Sequence, residues 1–312
     1  MNEKISSIPV LLILWIRDDF IEYQLAALAA VRSKSLYVAI DGPRHGANLL
    51  QDQKSIASII TKIRHSIFWD CSVKYLVRDS NKGLRVAVEE ALDWFFDSVD
   101  FGIILEDDII PTPTFFEFCS DILTRYYDCS SIFSVSGDGR SCISSRSLFS
   151  FHTSSFFFCW GWATWASRWH EYRIKSKTEF NLCSSILYSL YLSTKNKQFL
   201  DKLYQSLKDN RTNSWAFRVL LYCMNENYLH INPSHNLISN IGNDLKSTHT
   251  MTKAVPLESN EDLFLISQLP DGHNISHDYS LDRLIFEKVY MPKNLLRRIY
   301  CKLMQLFKST IR

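Results

Sequence analysis

The amino-acid sequence predicts an α/β protein whose central sheet is mainly parallel and is flanked by helices. Two observations lead to this prediction. Short apolar segments alternate with amphipathic segments of helical length over the first 110 residues, and acidic residues lie within two positions of the ends of the first, second and fourth apolar segments. Strands that alternate with helices in this way are typical of a parallel sheet with helices on its faces.

The predicted strands are short apolar runs that end at turn residues, as buried strands do. Asp41-Gly42-Pro43 ends the second run, and the prolines that follow Ile110 stop the fourth. The strands of the first half are expected at residues 10–16, 36–40, 73–77 and 101–105, and further strands at 131–137 and 229–233.

The predicted helices show apolar residues at helical spacing. Ile56, Ile59, Ile60 and Ile63 fall on one face of such a helix. Polar helices and loops are expected over residues 175–212, and residues 255–290 show little regularity. The stronger helices are expected at residues 20–32, 48–66, 82–96, 114–127 and 215–224.

Three consecutive acids, Glu106-Asp107-Asp108, leave the carboxyl end of the fourth predicted strand together. Ligands bind at that edge in open α/β sheets. Adjacent carboxylates repel one another unless a cation neutralises them, and a divalent metal that accompanies a phosphate-bearing substrate would do so. The alternative is a solvated turn that leads into a helix, capped by Thr114 with Glu117 as its capping-box partner.

Composition excludes several classes of protein. The net charge of +2 over 312 residues provides no basic field for nucleic acid. The sequence contains no GxGxxG after the first strand and no GxxxxGK[ST], so phosphates would need another charge partner. The eight cysteines form no CxxC pair, which favours reduced thiols and a cytoplasmic protein. No basic-then-apolar signal pattern and no apolar run of bilayer length are visible.

The carboxyl-terminal 22 residues, 291–312, form a predicted basic amphipathic helix. Six Lys and Arg residues and no acid interleave with apolar residues at helical spacing. Two interpretations stay open. The helix docks on the domain with its basic side in solvent, or it attaches the protein peripherally to the anionic inner face of the plasma membrane.

A tryptophan-rich segment spans residues 156–169 and contains Trp160, Trp162, Trp165 and Trp169. Core packing is the ordinary explanation for such a segment. Gly161, which lies between two tryptophans, also suggests that the backbone closely approaches something flat.

Taken in order, these motifs resemble the N-acetylglucosaminyltransferase I family and its bacterial relatives, which are GT-A glycosyltransferases. The resemblance rests on residues 103–108, 135–137, the tryptophan-rich segment, 213–215 and 232–249, and it extends from about residue 8 to 250. It implies a GT-A domain over residues 1–255, with a nucleotide-binding half over about 1–110 and an acceptor-side half over about 111–255. Residues 256–312 would form a carboxyl-terminal extension.

The resemblance also implies site residues. Arg17 falls where the family contacts the nucleotide, Asp41 where it binds uracil, and Asn81 near a further base contact. Glu106 would reach the donor sugar, Asp107 the ribose and Asp108 a Mn²⁺ or Mg²⁺ ion. Trp215 belongs to the same donor-binding set, and His249 lies in a loop that orders over the diphosphate.

One position departs from the family pattern. The residue after Trp215 is Ala216, where the family has its catalytic aspartate, and alanine cannot accept a proton. By chain position Asp244, Asp209 or Glu226 would replace it. The other interpretations are a different mechanism or a catalytically inactive homologue.

The activity expected from the resemblance is transfer of a sugar from a UDP-sugar, such as UDP-GlcNAc or UDP-GalNAc. The acceptor would be a growing surface polysaccharide or a lipid-linked glycan. The alternative enzyme is a sugar nucleotidyltransferase, although that class needs a glycine-rich basic loop after the first strand and residues 15–19 contain no glycine.

Overall fold

The computed structural model describes residues 3–139, 151–176, 194–241, 277 and 279–290. Within these residues one large sheet of eight strands has the order β3-β2-β1-β4-β8-β6-β9-β7, and β5 and β10 form a separate pair. The strands are β1 (Val10–Leu14), β2 (Ser35–Ile40), β3 (Ser72–Val77), β4 (Phe101–Glu106), β5 (Ile109–Pro111), β6 (Ile132–Ser136), β7 (Phe151–Ser154), β8 (Trp162–Trp165), β9 (Leu229–Pro233) and β10 (Ile238–Asn240).

The first half of the sheet is parallel, as the sequence predicts. β1 pairs with β2 on one side and with β4 on the other, and β3 extends the sheet beyond β2. β8 then runs antiparallel to both β4 and β6, whereas β9 is parallel to β6 and β7 is antiparallel to β9. Because β8 is antiparallel to both of its neighbours, β6 runs in the same direction as β4, and so does β9.

Helices cover both faces of the sheet. They are α1 (Glu3–Ser6), α2 (Ile21–Val31), α3 (Leu49–Ser66), α4 (Leu84–Phe96), α5 (Pro113–Arg125), α6 (Ala166–Lys175), α7 (Thr194–Lys208), α8 (Trp215–Asn225) and α9 (Tyr279–Ile285). The apolar faces of α2, α3 and α5 share one buried cluster with Val10, Leu12 and Leu14. Leu11 points to the opposite face, where α4, α6, α7, α8 and α9 pack, as the two-residue period of a strand requires.

The tryptophan-rich segment packs in the core. Trp162 and Trp165 lie on opposite faces of β8, Trp169 follows in α6, and each is at most 1% exposed. Gly161 adopts a positive φ of 55°, and a Cβ there would lie 2.9 Å from Cγ2 of Ile238. The side chain of Ile238 therefore makes the close approach to Gly161.

The sequence prediction of local structure is wrong in two places near the acids. The chain leaves the large sheet after Glu106, but Ile109–Pro111 is not a simple exit, because it forms the further strand β5, which pairs antiparallel with β10. The residue that caps α5 is Thr112, whose Oγ1 accepts a hydrogen bond from the Phe115 amide, and Pro113 occupies the first helical turn. Thr114 therefore lies inside the helix.

The carboxyl-terminal helix α9 is anchored on β7 by one buried carboxylate. Asp282 accepts hydrogen bonds from the Ser155 hydroxyl at 2.6 Å and the Ser155 amide at 3.0 Å, and it also contacts His277 at 2.6 Å. A helical turn of residues 286–290 follows. The predicted basic helix at 291–312 lies outside the described residues. Among the described helices, none combines the length and apolarity that crossing a bilayer requires.

The loop after β2 depends on the absence of a side chain at Gly42. A Cβ at this position would lie 2.3–2.5 Å from the backbone of Ser80. We expect Gly42→Ala to lower the free energy of unfolding by about 3 kcal/mol, because the obstructing atoms are backbone and cannot rotate away. Chemical denaturation measures this loss.

Gly46→Ala is the matched control for that variant. Gly46 has a φ of 81° but nothing within 4 Å of its Cβ position. Its replacement should cost only the backbone strain of a left-handed residue, about 1 kcal/mol. Equal losses in the two variants would contradict the packing explanation.

Candidate functional site

The three acids lie where the order of the sheet changes direction. β1 connects to β2 on one side, whereas β4 pairs on its other side, so the loops after β1 and β4 leave the sheet next to each other. Crevices of this kind bind ligands in open α/β sheets. Glu106 ends β4, and Asp107 and Asp108 form the turn into β5. The predicted position of the acids at the carboxyl edge is confirmed.

Arg17, in the loop after β1, faces the acids across this crevice. Its Nη1 lies 3.4 Å from Oδ2 of Asp108 and 3.6 Å from Oδ1 of Asp107. The three side chains are 19–23% exposed, so the site is open to solvent on one side. One guanidinium therefore shares its charge between two carboxylates and reaches neither at the distance of a strong ion pair.

Arg17 does not neutralise all three acids, and the pKa values of their carboxyl groups are raised. Burial raises the pKa of Glu106 to about 8, and the charges of Asp108 and Asp107 add to the effect. Burial and then Asp108 raise the pKa of Asp107 to about 7, against the opposing charge of Arg17. Burial also raises the pKa of Asp108, although Arg17 again opposes it. The folded protein thus holds these carboxylates together at a cost that a bound cation would relieve.

Three residues that the sequence analysis did not single out hold the acid turn, which comprises residues 106–109 from the end of β4 to the start of β5. Gln24 donates hydrogen bonds from Nε2 to the backbone oxygens of Glu106 at 2.7 Å and Ile109 at 2.9 Å. The amide of Ile241 donates to the backbone oxygen of Asp108 at 2.9 Å. The Cys159 thiol hydrogen-bonds to the Glu106 side chain. Of these, Gln24 carries a sequence signal, because it is the polar residue on the otherwise apolar face formed by Ile21, Leu25 and Leu28.

Asp41, directly after β2, and Asn81, in the loop after β3, lie next to each other. The Asn81 Nδ2 donates to Oδ2 of Asp41 at 2.9 Å, and the amides of Lys82 and Gly83 donate to the same carboxylate. The Asp41 side chain is 6% exposed. Asp41 therefore joins the loop after β2 to the loop after β3, with its oxygens already occupied by protein donors.

Trp215 begins α8 and is 2% exposed. Its ring stacks on Trp162 with centroids 5.8 Å apart and contacts Phe157 edge-on at 5.9 Å. The structure thus places Trp215 in the aromatic core, packed against Trp162 and Phe157.

The candidates for a catalytic base are not brought to the acids within the described residues. Glu226 pairs with Lys175 at 2.9 Å and precedes β9, so it lies at the amino edge of the sheet, opposite the end of β4. Asp209 pairs with Arg211 at 2.7 Å on the surface. Asp244 and His249 lie outside the described residues.

The acid turn fits a small divalent cation by the chemistry of its donors. Among the described residues, no group of three or more His, Cys, Asp and Glu side chains has the geometry of a metal cage. Mg²⁺ and Mn²⁺ do not require one, because they are commonly held by one or two carboxylates with substrate phosphates and water. Asp107 and Asp108 supply such oxygens and already share one cation, the Arg17 guanidinium.

Comparison with known proteins identifies no family for this chain. No family model matches the sequence, and no curated protein does so either. Among solved structures, 4-diphosphocytidyl-2C-methyl-D-erythritol synthase from Anaerococcus prevotii DSM 20548 is similar at a TM-score of 0.32 and 11% identity. The alignment covers 65% of this chain and 85% of that one. A likeness this distant carries no inference about activity.

The crowding of the acids predicts that the site lowers the stability of the metal-free protein. Asp107 has a higher pKa folded than unfolded, so its ionisation opposes folding as the pH rises above about 4. In EDTA, Asp107→Asn should raise the free energy of unfolding by about 1–3 kcal/mol at pH 8. The gain should shrink steadily towards pH 5, where folded Asp107 is already protonated. Denaturant titrations at both pH values measure it.

Asp121→Asn is the control for this effect. Asp121 lies on α5 and pairs with Lys4 at 3.3 Å, so a neighbouring cation already balances its charge. Its replacement removes one negative charge without relieving crowding, and we expect no gain in stability at pH 8. A gain for Asp107→Asn that is independent of pH would argue against the electrostatic origin.

Proposed function

We propose that the chain is a transferase that acts on a nucleotide-activated sugar at the acid turn, with a divalent cation. The observation that carries this proposal is the crevice between β1 and β4, where Asp107, Asp108 and Arg17 meet. Carboxylates that hold a cation, beside a guanidinium that binds phosphate oxygens, suit a diphosphate better than a neutral ligand.

The finer proposal is glycosyl transfer from a UDP-sugar, the activity that the family resemblance implies. Asp108 would hold Mn²⁺ or Mg²⁺, Asp107 the ribose and Glu106 the donor sugar. The metal, when bound, would stabilise the charge that develops on the departing diphosphate. Arg17 would bind the same diphosphate from the opposite side of the crevice. The acceptor would be a growing surface polysaccharide or a lipid-linked glycan.

The second candidate is a sugar nucleotidyltransferase, which forms a nucleotide sugar from a nucleoside triphosphate and a sugar phosphate. Acids at strand ends and a bound metal suit this reaction equally well. Arg17 supplies a positive charge directly after β1, where that reaction also needs one. The absence of glycine in residues 15–19 weighs against a loop that wraps a triphosphate.

One pair of assays separates the two reactions. The protein is incubated with Mn²⁺ and either a panel of UDP-sugars or nucleoside triphosphates with sugar 1-phosphates. Release of UDP supports glycosyl transfer, and release of pyrophosphate supports nucleotidyl transfer. Neither product, combined with no UDP binding in calorimetry with Mn²⁺, would refute the proposal. UDP binding without turnover would favour the inactive homologue that Ala216 suggests.

Asp108→Ala tests the metal assignment within the active reaction. We expect metal-dependent turnover to fall at least 100-fold, because the variant loses a carboxylate that would neutralise the cation. Circular dichroism should show an unchanged fold. Asp121→Asn serves again as the control and should retain wild-type turnover. Full activity of Asp108→Ala would refute the assignment.

The basic segment 291–312 supports a proposal about location that rests on sequence alone. We propose that it attaches the protein to anionic lipid, where a lipid-linked acceptor would be found. Deletion of residues 291–312 should abolish co-sedimentation with vesicles that contain phosphatidylserine and leave UDP binding unchanged. Equal sedimentation of the truncated and complete proteins would contradict the proposal.

A further inference from the structure

Gln24 lies beneath the acid turn and makes no contact that the proposed chemistry already uses. It belongs to α2, the helix that follows the Arg17 loop, and it is fully buried among Ile21, Leu25 and Leu28. The backbone amide of Gln24 donates a hydrogen bond to the backbone oxygen of Phe20 at 3.4 Å. Phe20 lies at the end of that loop.

The side-chain amide of Gln24 joins the two ends of the acid turn. Its Nε2 has two hydrogens, and its two contacts go to the backbone oxygens of Glu106 and Ile109. These two carbonyl groups bracket Asp107 and Asp108. One planar amide therefore sets the separation between the residue before the two aspartates and the residue after them.

The hydrogen bonds of Gln24 bring little net stability. Its Oε1 is buried and has no hydrogen-bond partner among the described residues. A buried acceptor without a partner costs about as much free energy as one or two hydrogen bonds contribute, so the gain and the loss largely cancel. What the side chain does supply is a fixed shape for the turn.

We propose that Gln24 is a positioning residue that places Asp108 for the cation and Asp107 for the ribose beside it; this inference rests on the proposed function. α2 carries Gln24 and also begins directly after the Arg17 loop. The helix thus fixes the acids and the guanidinium relative to each other on both sides of the crevice. Small cations demand such placement, because their ligand distances vary little.

Gln24→Met tests the proposal, since methionine has nearly the same length and volume but no donor. The probe is Mn²⁺ with UDP, titrated by calorimetry against the complete protein. We expect the variant to bind Mn²⁺ at least tenfold more weakly than the wild type. Gln24→Glu, which retains the size and at most one donor, should show a smaller loss and serves if the methionine variant does not fold.

Leu28→Ala is the control for lost stability. Leu28 is fully buried on the same face of α2, one turn further along, and its aliphatic side chain can donate no hydrogen bond to the acid turn. Thermal denaturation should show that Leu28→Ala is destabilised at least as much as Gln24→Met, yet its Mn²⁺ affinity should stay within twofold of the wild type. The role of Gln24 would be overturned if Gln24→Met and Leu28→Ala both lost Mn²⁺ affinity in proportion to their lost stability. Wild-type Mn²⁺ affinity in both Gln24→Met and Gln24→Glu would overturn it as well. Failure of the wild type to bind Mn²⁺ with UDP would instead count against the UDP-sugar reaction on which the inference rests.

Discussion

The pairing of β1 with two neighbours, β2 on one side and β4 on the other, is the constraint on which the rest of the structure depends. Because both pairings are parallel, the loops after β1, β2 and β4 leave the sheet at the same edge. The chain must then cross from one half of the sheet to the other, and the two halves leave a crevice where they meet. Arg17 and the three acids are opposed because of this topology, although 89 positions separate Arg17 from Glu106 in the sequence.

Much of this half of the fold is predictable from the sequence. β1, β2, β3 and β4 are short apolar runs with turn residues at their ends, and α3 shows its isoleucines at helical spacing. The position of the acids at the carboxyl edge follows from that alternation alone. The predicted ends of these elements differ from the observed ones by one or two residues. The last residues of an apolar run can be partly buried without pairing in the sheet, as residues 15 and 16 after β1 show.

The second half of the sheet is not predictable in the same way. β8 consists of two tryptophans that flank Ala163 and Thr164, and its polarity shows no alternation, because both of its faces are buried. β5 and β10 are three residues long and pair with each other. Their pairing is a contact between residues more than 120 positions apart, and no local pattern specifies such a contact.

The candidate site divides along the same line. Residue type and strand position identify Glu106, Asp107 and Asp108, whereas Arg17 is indicated only by the family resemblance. The sequence does not reveal that the Asp41 carboxylate accepts hydrogen bonds from Asn81 and Lys82, or that Trp215 packs against Trp162. Both facts depend on which elements the fold brings together. A single polar residue on an apolar helical face, as at Gln24, is the exception, since the break in the pattern is itself visible.

The shared ion pair of Arg17 has a consequence for how ligands would enter. Asp107 and Asp108 already share a monovalent counter-ion, and under the proposed function a dication would compete with the guanidinium for their oxygens and displace it. The withdrawn Arg17 then needs an anion, and a diphosphate supplies one. Each ligand would thereby favour binding of the other, and thermodynamic reciprocity would make the effect equal in both directions. The crevice would respond to metal and nucleotide together far more than to either alone.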